Sequence, residues 1–415
     1  MLRSSFFALV SLLGIVGVAN AWFRVPCTDS LVQERLDPII SPGGNPSQHV
    51  HTIHGASNFN PTYSYDNLRA SNCTNCLVAE ACHQPRILPT NIHGYPQDLS
   101  NYWFPKLYFQ DPKTKLFEPV RNGGLLVYYQ NRGDGDTSNG GAGLKAFPPG
   151  LRMITGDPKR RSKKFPIGLG TQEELRERAI QWSCLRYSVG LPGYDDNGTG
   201  FPTTDCESGL NVSKEINLLI FEITNHSFRP VCTVHLIPRP SKTSAHMPVV
   251  PACWDGENLD SADHVSHTAF LSGLDNGACP AGFLFFEVTW NVADFSGRWN
   301  SSVDKWPFVY STGDPTGFSW HGDFQNGIQS FSWDTTALQN AIDQCDNPND
   351  QTGQGITEAC RFLTVKPAAL SNECKINPVV NEVINGKLTK LPGCNPLQFG
   401  PQDATIFNDA NCHSS

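Results

Sequence analysis

The chain has 415 residues, with 31 lysines and arginines against 39 aspartates and glutamates, a net charge of -8 and 39% hydrophobic residues. That balance gives no reason to expect nucleic acid as a partner, since such binders carry a basic contact face. Thirty-six glycines and 31 prolines cut the sequence into short apolar runs, the pattern of many strands joined by turns rather than of a helical bundle.

Residues 1–21, "MLRSSFFALVSLLGIVGVANA", hold one cation at Arg3, an apolar run from Phe6 to Val18 and small residues at Ala19 and Ala21. They read as a signal peptide cleaved before Trp22. No later run reaches the ~20 apolar residues of a membrane span, so the expected product is secreted, extracellular or wall-associated, and without a membrane span. All fourteen cysteines follow the leader, and an even count in an oxidising compartment points to disulfides. Sequons at Asn72, Asn197, Asn211, Asn225 and Asn300 are the expected glycosylation sites.

The first candidate site in chain order is "HVHTIHG", His49–Gly55. On a strand, His49 and His51 point to one face and His54 to the other, so two imidazoles can reach one metal, zinc or copper by ligand type. A third ligand is expected from a distant segment, either "DHVSH" (His264, His267) or "WHGDF" (His321). "CTNCLVAEACH" places Cys73, Cys76 and Cys82 at metal-like spacing, but in a secreted chain disulfides are expected instead. "GLLVYYQ" (Gly124–Gln130) predicts a strand, and "KRRSKK" (Lys159–Lys164) a solvated loop. In "TQEELRERAIQWSC", Thr171 and Glu174 form a capping box for a helix running to about Trp182.

Further strands are predicted at "INLLIFEIT" (Ile216–Thr224), "GFLFFEVTW" (Gly282–Trp290) and "PFVYS" (Pro307–Ser311). Glu222 and Glu287 fall within apolar strands, where a lone carboxylate is costly. Paired across a groove they would be the acid and nucleophile of a glycosidase. "CWDGENLDSADHVSH" gathers Asp255, Asp260, His264 and His267 as cleft candidates, although Asp255 before Gly256 also fits turn chemistry. In "GDPTGFSWHGDFQNG", His321 and Asp323 share a face if the segment is a strand and can act as base and orienter; in a turn they do not. His267 and His321 are the candidate bases. Leu338, Ala341, Ile342 and Cys345 repeat at helical spacing.

These elements predict a mainly β fold: a two-sheet β-sandwich, jelly-roll-like, with one or two peripheral helices and a disulfide-tied C-terminal extension. The expected division is a signal peptide over 1–21, the sandwich over 22–345 and a cysteine-containing extension over 346–415. "RLDPIISPGG", "HVHTIHGASNF", "SNYWFPKLYF", "AFPPGLRMITGDP", "CWDGENLDSADHVSH" and "GDPTGFSWHGDFQNG" together resemble the fungal secreted family catalogued as domain of unknown function nineteen-ninety-six. That family's pattern has tryptophan after "FQNG", where Ile328 stands here. The resemblance implies fungal origin and an extracellular or wall-associated life, and it supplies no reaction. Function is therefore read from the residues. The leading expectation is action on cell-wall or plant polysaccharide through a histidine-rich cleft formed by His49, His51, His54, His264, His267 and His321, with a divalent metal (zinc or copper) or with histidine alone. The alternatives are a non-catalytic glycan-binding protein and a two-glutamate glycoside hydrolase. Oligomeric state is not readable from the sequence.

Overall fold

The structure is a computed structural model, and it describes residues 23–43, 46–62, 64–78, 98–130, 133–135, 140–184, 194–196, 200–201, 244–246, 253–272, 277–278, 283–300, 302–327, 334–345 and 356–407. The leader, Cys82, Glu222 and its strand, the sequons at Asn197, Asn211 and Asn225, and Ile328 lie outside the described residues. Two large antiparallel sheets face one another. The first has six strands in the order Phe23–Cys27, Asn122–Gln130, Phe283–Trp290, Ser244–His246, Trp182–Cys184, Tyr194–Asp196. The second has five, in the order Val32–Glu34, His51–Gly55, Asn101–Pro105, His321–Gln325, Arg152–Gly156. The chain changes sheet repeatedly, as it does in jelly-roll-like sandwiches.

The main core lies between these sheets. Val25, Leu125, Val127, Phe286 and Val288 come from one, and Tyr102, Phe104, Met153 and Phe324 from the other. Each strand contributes alternate residues, as a period of two requires. The five-stranded sheet is also covered on its outer face. There Ile53, Trp103 and Ile154 form a second core with Leu31, Leu36 and Ile39. Its three middle strands are consequently buried at every position. This second covered face is where polar groups of the sheet are withdrawn from water.

The predicted strands at 124–130, 282–290 and 307–311 form as Asn122–Gln130, Phe283–Trp290 and Phe308–Tyr310. Helix Asp334–Gln344 buries the predicted Leu338, Ala341 and Ile342. Helix Gln172–Arg178 is shorter than predicted, because Trp182 is drawn into the six-stranded sheet opposite Asp196 and His246. Its capping box is half formed. Thr171 accepts the Glu174 N–H, while the Glu174 carboxylate turns to the N–H groups of Gly168 and Gly170.

Cys27–Cys76, Cys73–Cys374 and Cys345–Cys360 are disulfides, so Cys73 and Cys76 crosslink as expected of an oxidising compartment. The C-terminal segment is also held by polar contacts. Glu34 accepts from the N–H groups of Val379 and Val380, Arg35 pairs with Glu382 at 2.5 Å, and Tyr108 donates to the Ile384 carbonyl. No helix among the described residues is long and apolar enough to cross a membrane.

Candidate metal centre

His51 pairs across its ladder with Pro105, and Asp323 with Trp103. Continuing the second ladder by two residues places His321 opposite Pro105 too, so His51 and His321 flank a compact proline on the outer face of the sheet. His49, two residues before His51, comes to the same side. The result is a convergence of three Nε2 atoms. His49 lies 3.0 Å and His51 3.3 Å from His321, and the three ligand atoms all lie within 4.8 Å of one another. A tetrahedral ion with bonds of about 2.0–2.1 Å needs nitrogens about 3.3–3.4 Å apart.

Hydrogen bonding fixes what His321 presents. Its Nδ1–H donates to the Ser319 carbonyl at 2.9 Å, so in the neutral ring Nε2 is a bare lone pair. One lone pair accepts one proton well. If His49 donates to it, the Nε2 of His51 has no use for its own group, and the Nδ1 of His49 has no hydrogen-bond partner among the described residues. A single cation satisfies all three inward-facing nitrogens. Burial keeps the rings in the ligating, neutral form. His51 is pushed down to about 3 by burial, against the opposing pull of the Leu36 carbonyl. His321 is pushed down to about 4 by burial and then by His51. His49 is held well below the ordinary range by burial, then by His51, His321, Arg161 and Arg35.

Two carboxyls share this enclosed region. Asp37 accepts from the N–H groups of Ile39 and Ile40. Asp323 is 1% exposed, and neither of its oxygens has a hydrogen-bond partner among the described residues. Burial raises both, and the charge of Asp37 raises Asp323 further. Asp323 and His321 do share a strand and a face. Asp37 was not among the candidates, although Asp before Pro followed by two apolar residues is a side-chain-to-backbone turn signature.

The segment 312–321 that delivers His321 is braced from the basic run. Arg161, expected in a solvated loop, is instead 2% exposed. Its guanidinium donates to the carbonyls of Pro158, Arg160 and Thr312 and faces Asp314 at 3.8 Å. Asp314 in turn accepts the Ser319 N–H. Gly156, opposite His321, has φ +79, and a Cβ there would lie 2.2 Å from the Trp320 carbonyl oxygen. Only glycine permits that approach.

The other candidates lie elsewhere. His54 points to the sandwich core, where Nε2–H donates to Asn122, Asn75 donates to Nδ1, and the ring stacks on Phe104. His267 uses both ring nitrogens, with Ser261 at 2.8 Å and the Arg152 carbonyl at 2.6 Å. Arg152 pairs with Gln325, at the opposite end of its strand from Gly156 and His321, roughly 13 Å away at 3.3 Å per residue. The structure thus brings His321, and not His267, to His49 and His51. Asp255 caps its own turn through the N–H groups of Glu257 and Asn258, while Asp260 pairs with His264 at 2.8 Å and Arg152 at 3.4 Å. Glu287 is paired in register with Leu126. Asn72 and Asn300 are exposed.

Residues 37–217 and 229–328 match a family profile described as Domain of unknown function (DUF1996). The chain belongs to the DUF1996 family. The matched span contains His49, His51, His321, Asp37 and Asp323. No curated protein and no solved structure matches the chain.

Proposed function

We propose that this DUF1996 protein is a secreted protein that holds one divalent transition metal, zinc or copper, on His49, His51 and His321, and that its partner is a cell-wall or plant polysaccharide. The convergence of three buried, neutral imidazoles on one point carries the metal reading. The bound ion would supply Lewis acidity and a fixed local charge. His321 is oriented by Ser319, and Asp37 and Asp323 stand ready to balance the added charge. Secretion is supported by the leader sequence and by disulfides that tie distant parts of the chain.

The three histidines are 0–4% exposed. Metal-assisted cleavage needs an open coordination position that substrate can reach, so this burial favours metal holding and non-catalytic glycan binding over polysaccharide cleavage at the triad. The test is elemental analysis of protein purified without chelator or metal-affinity tag, followed by binding and product assays on charged and neutral polysaccharides. About one equivalent of zinc or copper, with glycan retention and no released product, is expected. Less than about a tenth of an equivalent, with no uptake on titration, would overturn the metal reading. Release of reducing or unsaturated ends would overturn the non-catalytic one.

A further inference from the structure

A cavity of about 100 Å³ opens beside the strand end at Gly156, between helix Gln172–Arg178 and the turn that precedes Ser319. Its walls include Arg160, Arg176, Phe165, Phe318 and Glu177. Two of the three acids that line it are already engaged, and the third, Glu173, acts on Arg176 only through space. Both oxygens of Glu177 accept from the Lys164 N–H and one also from Phe165, and Asp157 accepts the Lys159 N–H. The arginines are less committed. Arg160 lies over the Phe165 ring and reaches Asp157 only at 3.6 Å. Arg176 lies over the Phe270 ring at 5.9 Å, and no described acid comes within ion-pair distance of it.

Two guanidinium groups beside Phe318, one in a long pair with Asp157 and one in no ion pair with a described acid, form a receptor for a planar anion carried on an apolar-faced ring. Carboxylated sugars have that combination, with a carboxylate at one end and a C–H face along the ring. We propose that this cavity binds the carboxylate of a uronic acid unit, which makes an acidic glycan the polysaccharide partner. The inference rests on the glycan half of the proposed function and is independent of the metal half. The cavity is joined to the centre through the chain. Gly317 and Phe318 line it immediately before Ser319, whose carbonyl orients His321.

The test is titration calorimetry of the full-length secreted protein with a short oligogalacturonate, its methyl ester and a neutral cello-oligosaccharide. Saturable binding of the acid form is expected, with Arg176→Gln weakening it about tenfold or more, the loss of one charge-assisted hydrogen bond. Methyl esterification, which removes the charge without touching the protein, should weaken it similarly. Arg121→Gln, at an exposed pair with Asp294, should change nothing. Equal affinity for acid and ester, or an unaffected Arg176→Gln, overturns the proposal. Displacement by inorganic sulfate at the affinity of the oligosaccharide overturns the sugar assignment in favour of a generic anion site. Binding of the neutral oligosaccharide alone leaves the glycan reading standing and sinks this one, whereas binding of none sinks both. Metal content of the same sample reports separately on the centre.

Discussion

His321 is the hub of the triad, since both short nitrogen–nitrogen distances run to it, and His321→Ala is therefore the decisive substitution. At free metal one hundred times the dissociation constant, a ligand that binds only the native state stabilises it by about 2.7 kcal/mol. At about 2.1 cal/mol/K per residue, a chain of 415 residues converts this to a rise of about 3 °C in melting temperature. If losing His321 weakens the site by a factor of about 100, the same metal concentration only equals the new dissociation constant. The gain falls to RT ln 2, about 0.4 kcal/mol, or about half a degree. Each variant is scored against its own metal-free melt, so the cavity left by the imidazole does not enter the comparison. His54→Gln is the control, because His54 is buried and hydrogen-bonded on the opposite face of the same strand. It should keep the wild-type metal response. Low pH adds a second signature. Protons compete with metal at an ordinary histidine near pH 6.5, but His51 and His321 take them up only near 3 and 4, so occupancy should be unchanged between pH 7 and 5. The triad is ruled out as the metal site if His321→Ala retains the wild-type metal shift, or if His54→Gln loses it equally.

Gly156→Ala places a Cβ 2.2 Å from the Trp320 carbonyl oxygen and 2.8 Å from the His321 Cα at φ +79; it should cost at least about 2 kcal/mol in denaturant titrations and lower metal content, and a neutral result would contradict the tight pairing of these strands. Arg161→Met strands the buried Asp314 carboxylate and should cost about 3–5 kcal/mol; adding Asp314→Asn should recover part of that loss, and strict additivity would count against the pairing. Lys106 is 1% exposed, donates to Gln33 and Asn385, and is pushed down to about 7 by burial. A base with a depressed native pKa binds fewer protons folded than unfolded, so the wild type should gain stability relative to Lys106→Met as pH rises from 7 towards 10.5, by up to about 1.4 kcal/mol per pH unit. Parallel stability–pH curves for the two proteins would rule out this burial cost.

The long strands were legible because alternation and branched or aromatic content act locally. "GLLVYYQ" and "GFLFFEVTW" needed no knowledge of their neighbours. The shared face of His49 and His51 was legible for the same reason, since a spacing of two on extended chain fixes it. Which distant histidine joins them was not. His321 reaches the pair only because Asn101–Pro105 lies between their strands, and strand order is not written in any local pattern. His267, an equal candidate in sequence, is satisfied by Ser261 and by a backbone carbonyl at the far end of a strand. Arg161 carried no local sign of burial within a run of cations. Its environment is made by Asp314 and the Thr312 carbonyl, about 150 residues away.

Alternation misleads on the five-stranded sheet for a further reason. A sheet with one wet face reads as apolar and polar in turn, and its polar residues are taken for solvent-facing ones. Here the outer face is covered by Leu31, Leu36, Ile39 and the C-terminal segment, so the polar half of the alternation is buried as well. Asn101, for one, is absorbed by hydrogen bonds to the carbonyls of His54 and Ala56. His49, His51, His321 and Asp323 differ, because nitrogens that all need an electrophile face one another and the Asp323 oxygens have no partner among the described residues. Buried polar atoms left without partners are costly, and a cation removes that cost for three inward-facing imidazoles at once and gives the buried carboxyls a charge to answer. The metal reading therefore rests on the energetics of the covered face as much as on the distances, which is why loss of the ion should appear in stability before it appears in any activity.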